Sequence, residues 1–202
     1  MFKRILIIFI ILLLSQSSFG QYKKRINESG FSLMTGLSIV DDSFTTDFNP
    51  FGFSRFNYGF YIGAELKVFR NLSAQLVFSR NFYKEGNLVS NRPLERDLKY
   101  EALDLYGLYS LTEAFNLRSH IEPYIIGGFG TTIIDNDNRM TLNFGGGLRI
   151  WMRQWFSRRQ SVFMQGLGFT AQTQGRYGLG TNIEGGSYSS QLMHSAGIIY
   201  QF

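Results

Sequence analysis

Along most of the chain apolar and polar side chains alternate with a period of two, the spacing of a strand whose faces meet different surroundings. In FSLMTGLSI, Phe31, Leu33, Leu37 and Ile39 share one face, and Ser32, Met34, Gly36 and Ser38 the other. YGFYIGAELKV sets Tyr58, Phe60, Ile62, Ala64, Leu66 and Val68 against Gly59, Tyr61, Gly63, Glu65 and Lys67. LSAQLVF follows a tight turn at Arg70-Asn71, and EALDLYGLY sets Leu103, Leu105, Gly107 and Tyr109 against Ala102, Asp104, Tyr106 and Leu108. The pattern resumes in EPYIIGGFGTTI, TLNFGGGLRIW, VFMQGLGFT and SQLMHSAGIIYQF. These segments predict eight strands in four up-and-down hairpins. One set of connections is long or polar (41–57, 84–97, 135–140 and 173–188). The other is shorter on average (70–71, about 111–120 and 152–160).

The register that carries the large apolar side chains has no Asp, Glu, Lys or Arg in its middle, and Arg80 lies near a strand end. The opposite register carries glycines 36, 59, 63, 128, 130, 145, 147, 166, 168 and 197, with Ser, Gln, Asn and four charges. A soluble barrel packs its apolar side chains inside. A membrane barrel turns them outward, and an even number of strands with unequal connections fits that case. The expected fold is an all-β, eight-stranded antiparallel up-and-down transmembrane β-barrel over residues 30–202. Eight strands leave a lumen that side chains fill, and glycine and serine relieve crowding beside Tyr61, Tyr106, Tyr124 and Trp151. Aromatics at the strand ends (Phe69, Tyr109, Trp151, Trp155, Phe156, Tyr200 and Phe202) suit a membrane interface.

Composition agrees. The chain has 202 residues, 22 of them Gly, 20 Phe and 11 Tyr, but only 3 Pro, and charged residues are 17%. It has no cysteine, which excludes disulfides, thiolate metal sites and cysteine nucleophiles. At the front, Lys3 and Arg4 precede a ten-residue apolar run, Ile5 to Leu14, and Ser18-Phe19-Gly20 offers a small-x-small cleavage pattern. This reads as a cleaved secretory signal over 1–20, followed by a periplasmic N-terminal tail over 21–29. Cleavage takes the formal charge from +5 to +3. No basic stripe with interleaved aromatics appears, so nucleic-acid binding is not expected.

The inward charges are Glu65, Lys67, Asp104 and Arg149, and buried charges persist only when paired. They predict a lumenal network that plugs the barrel, the alternative being an ion path. An enzyme would need a His beside a Ser or a carboxylate. The two histidines are His120 and His194. Adjacent strand residues face opposite ways, so His194 and Ser195 form no dyad, and no catalytic residue is assigned. Asp41, Asp42, Asp47, Asp135 and Asp137 read as turn formers rather than calcium ligands. GRYGLG reads as a flexible loop rather than a phosphate loop. No metal or cofactor is expected. Phe44, Phe48, Phe51, Phe53 and Phe56 make the first long loop a candidate surface for a partner protein or lipopolysaccharide, or a plug over the barrel mouth.

TLNFGGGLRIWMRQWFSRRQSVFMQGLGFTAQ with LMHSAGIIYQF resembles the last three strands of the OmpA-type eight-stranded barrel domain, in versions found in Bacteroidota, and IEPYIIGGFG resembles its fifth strand. OmpA-type chains usually continue into a peptidoglycan-binding domain. This one stops at Phe202, so the likeness is to stand-alone barrels of the OmpX or OmpW kind. SAGIIYQF resembles the C-terminal β-signal of such barrels, with Ser195, Gly197, Tyr200 and Phe202 at its marked positions. The resemblance implies an outer-membrane protein of a Gram-negative envelope. Its partners would be outer-membrane lipids, the barrel assembly machinery during insertion, and a protein reached through the extracellular loops. The expected role is non-enzymatic: structural, surface-interaction or narrow-porin. The alternatives are an accessory subunit of a secretion or nutrient-import complex and, behind it, a lipid-modifying enzyme.

Overall fold

The alternation in the chain becomes a closed sheet in the computed structural model, which describes residues 30–41, 56–86, 88–89, 92–115, 121–134, 137–152, 166–179 and 190–202. Eight strands build the barrel: β1 (Phe31–Asp41), β2 (Phe56–Lys67), β3 (Leu72–Tyr83), β6 (Leu98–Ser110), β7 (Ile121–Ile134), β8 (Asp137–Trp151), β9 (Leu167–Leu179) and β10 (Ser190–Gln201). Each pairs antiparallel with its barrel neighbours in the chain, and β10 closes on β1. Between β3 and β6, β4 (Leu88–Val89) and β5 (Arg92–Pro93) form a small separate ladder. A single helical turn, α1 (Leu111–Ala114), follows β6.

The register fixes the barrel's shape. Following paired residues once around from Phe31, through Leu66, Ala74, Gly107, Gly127, Phe144, Gly175 and Leu192, returns to β1 at Asp41, ten residues further on. With about 3.4 Å per residue and about 4.8 Å between strands, that stagger tilts the strands by about 40° and sets the backbone wall about 16 Å across. A cylinder this narrow must be filled by its own side chains.

Phe31, at the start of β1, and Phe202 lie at the same end of the barrel, here the terminal end. The 68–71, 111–120 and 152–166 intervals join strands there, and the 42–55, 84–97, 135–136 and 180–189 intervals join them at the opposite, loop end. Three expectations change. GRYGLG is not a loop: Gly175–Leu179 belongs to β9, while 162–165, the front of the VFMQGLGFT pattern, lie outside the described residues. Asp137, Arg139 and Met140 belong to β8, so that connection shrinks to 135–136. Phe56 opens β2 instead of ending the first loop.

The outer wall is apolar. Leu37, Ile62, Leu105, Ile125, Phe129, Phe144 and Leu148 are all exposed. The inner wall is packed, and more apolar than glycine and serine alone would make it. Near the terminal end Met34, Tyr61, Val77, Tyr106, Leu108, Tyr124, Ile126, Trp151 and Ile199 form one buried cluster. At the loop end Val40, Tyr83, Tyr100, Ala102 and Met193 form another, with Leu94, Leu98 and Ile134 against it. Trp151 therefore does not join the outer aromatic ring: it points inward, only 6% exposed, in step with Arg149.

Candidate functional site

The lumen is crossed by two buried ion pairs. Glu65 on β2 and Arg149 on β8 stand on opposite strands of the ring. Their side chains meet in a two-pronged contact, Nη2–Oε2 at 2.7 Å and Nη1–Oε1 at 3.2 Å. A planar guanidinium matches a carboxylate in this geometry, which a lysine could not do. Gln75 donates to Glu65 at 3.4 Å. The guanidinium also lies over the rings of Tyr124 and Trp151, at 5.0 and 5.8 Å. Trp151 in turn gives its indole N–H to Glu122 at 2.7 Å. Because the pair spans the barrel's diameter, it is a crossbar.

The second pair lies nearer the loop end. Asp104 on β6 accepts from Arg176 of β9 at 2.8 Å and from Asn143 of β8 at 2.8 Å. Arg176 also donates to Thr132 at 2.9 Å and to the Met193 sulfur at 3.5 Å, and it lies over the Tyr100 ring at 5.7 Å. Asp104 is fully buried and Arg176 is 1% exposed. The missing side chain of Gly130 makes room for this cluster: a Cβ there would collide with Oδ1 of Asp104. Between the pairs, Tyr124, Thr170, Gln172 and Gln174 extend the polar lining through hydrogen bonds of 3.0 to 3.3 Å.

Of the four inward charges expected from the chain, Glu65 and Arg149 meet each other, while Asp104 meets Arg176, whose segment the sequence pattern reads as loop. Lys67 sits in the terminal mouth, where it lines a polar vestibule of about 50 Å³ with Glu65, Arg70, Glu122 and Arg149. Parity could have found Arg176: counted from Phe169, every second residue to Leu179 faces out, so Arg176 faces in.

The β10–β1 seam carries the other marked residues. Ser195 faces Ser38 and Gly197 faces Gly36, both pairs on the inner side. A Cβ on Gly197 would stand 2.7 Å from both the Gly36 Cα and the Tyr61 hydroxyl, so the two strands and Tyr61 can pack together only over glycine. Phe202 donates its backbone N–H to Phe31 at 3.1 Å. Its ring lies 5.8 Å from that of Phe31 and 4.9 Å from that of Tyr200. Phe44, Phe48, Phe51 and Phe53 lie outside the described residues, as do Asp42, Asp47, Asp135, His120, Trp155 and Phe156. Among the described residues no three His, Asp or Glu side chains gather as metal ligands would. His194 faces outward and meets Thr173 of β9, Nδ1 to Oγ1 at 3.0 Å.

No family model and no curated protein matches the chain. Solved structures do match its fold. The chain is similar to the Neisserial surface protein A, with 15% identity and a TM-score of 0.56, over 86% of this chain and 98% of that one. It is similar to the outer membrane protein OprG of Pseudomonas aeruginosa, with 13% identity and a TM-score of 0.54, over 87% and 97%. The N-terminal β-barrel domain of OprF from the same organism matches with 13% identity and a TM-score of 0.51, over 86% and 98%.

Proposed function

We propose that this chain is an integral outer-membrane barrel whose interior is a fixed plug, so that it serves the envelope as a wall element and through its external loops rather than as an open channel or an enzyme. The observation that carries this reading is the inversion of polarity: exposed apolar side chains around a lumen that holds two buried ion pairs. Along β2 the apolar face runs from Leu66 to Tyr58 and along β10 from Phe202 to Leu192. At the strand tilt above, these runs are about 20–25 Å tall, near the roughly 25 Å apolar band of such barrels. Phe31, Phe69, Tyr109 and Phe202 are exposed at its terminal edge, and Tyr58, Phe82 and Tyr177 at its loop edge. Arg80–Glu101, an ion pair of the outward register at 3.5 Å, stands near that loop edge.

In this reading the terminal end faces the periplasm, after removal of residues 1–20, and the loop end faces outward. The likeness in fold to NspA, OprG and the OprF barrel domain supports the same compartment. Ser195, Gly197, Tyr200 and Phe202 would act as the insertion signal before they become the seam. Membrane fractionation with cold and boiled SDS gels tests the proposal. The expected result is an outer-membrane band whose mobility changes on boiling. Recovery in the soluble fraction without detergent would overturn it.

A further inference from the structure

Among the described residues, His194 is an ionisable side chain of the outward register that lies within the apolar band, one outward position in from Leu192 at the band's loop limit. In the register it follows Gly146 of β8 and Thr173 of β9, in one row across the wall. Its Nδ1 is bonded to Thr173, and no other hydrogen bond to the imidazole is found among the described residues. Hydrocarbon offers Nε2 no partner, and a polar group left unsatisfied there is costly. The row beside it holds Ala171 paired with Ala196. A Cβ built on Gly146 would meet only the Tyr124 carbonyl oxygen, at 3.1 Å, so nothing covers that position from outside. Bulky Leu148 and Phe144 flank it on β8. The polar pair thus lies on a locally low part of the wall.

Resting on the outer-membrane reading above, we propose that this patch is a self-association surface whose occupant is a second copy of the same chain. Two barrels in one membrane share a two-fold axis along the membrane normal, which brings like residues together at equal depth. The chemistry of the pair is self-complementary under that operation. With the imidazole in its Nε2–H tautomer, each Thr173 hydroxyl donates to Nδ1 of its own His194, and Nε2–H is free to donate to Thr173 Oγ1 of the partner. Two copies thereby close a ring of four hydrogen bonds with every imidazole nitrogen satisfied. A lipid chain can accept none of them. The small side chains of Ala171 and Ala196 let the two walls approach, as small residues do where membrane segments pack.

The absence of cysteine from the chain allows a direct test on the full-length protein in native outer membranes. Ala196→Cys should form a disulfide-linked or bismaleimide-linked homodimer. Leu76→Cys, in the outward register on β3, should not. In detergent micelles, His194→Leu and Thr173→Val should each weaken dimerisation by about tenfold or more. Heat-modifiable migration of every variant is checked first, so that loss of the barrel is told apart from loss of the contact. Failure of the wild-type protein to fractionate with membranes would sink the outer-membrane reading itself. Equal cross-linking at positions 76 and 196, a cross-link from 196 to some other protein, or dimerisation unchanged by His194→Leu would each overturn the proposal.

Discussion

Removing Arg176 isolates the energetics of the lumen. In Arg176→Met the Asp104 carboxylate stays fully buried but loses the guanidinium 2.8 Å away, keeping the Asn143 amide at 2.8 Å. Breaking a buried pair from one side costs about 3–5 kcal/mol, because the remaining charge has neither water nor a counter-charge. Asp104→Asn strands the guanidinium against Thr132 and Tyr100 and should cost a similar amount. The double variant has no charge to strand, and the new amide still reaches Asn143. Its cost should be that of the weakened hydrogen bonds alone, about 1–2 kcal/mol. The two substitutions should therefore couple by at least about 3 kcal/mol. The assay is urea unfolding of the protein in phospholipid vesicles, followed by fluorescence of its two tryptophans, one of which, Trp151, reports from inside the lumen. Additivity within about 0.5 kcal/mol would refute the reasoning, because it would mean that water reaches each charge separately.

Other positions give sharper contrasts in assembly. Gly197→Val should abolish most heat-modifiable protein, since its Cβ would press on Gly36 and Tyr61. Gly107→Ala should be silent, since the nearest atom to a Cβ there is 3.8 Å away. Deletion of Phe202, which loses a hydrogen bond and two ring contacts at the seam, should lower the yield of inserted barrel in a membrane-assembly assay more than the stability of what inserts. Leu105→Arg, in the middle of the apolar band, should cost about 2–4 kcal/mol in the same urea assay, whereas Phe82→Arg near its loop edge should cost about 1 kcal/mol or less.

The barrel was legible because alternation recurs along all eight strands and the largest apolar side chains share one register. Phe60, Ile62, Leu105 and Phe144 could not all face inward in so narrow a cylinder, and Glu65, Asp104 and Arg149 could not all face lipid. Legibility failed where that contrast faded. In the loop-end half of β9 the outward residues are Thr173, Gly175, Tyr177 and Leu179, only two of them large and apolar. Beside inward Gln174 and Arg176 they read as a polar loop, and the second ion pair was hidden with them. Trp151 is claimed twice by the sequence, for the interface by its type and for the lumen by its parity with Arg149, and it lies in the lumen. The pairing of partners is a different matter. That Arg149 reaches Glu65 across the ring follows from the ten-residue stagger, which no single strand encodes.

The central claim is that the lumen is sealed. Single-channel recording of purified, heat-modifiable protein in a planar bilayer tests it most directly. No steady ion conductance is expected from the wild-type barrel, with its Glu65–Arg149 crossbar and Asp104–Arg176 pair in place. A persistent open conductance in the wild-type protein, unchanged when Arg149 is replaced by Ala, would contradict it.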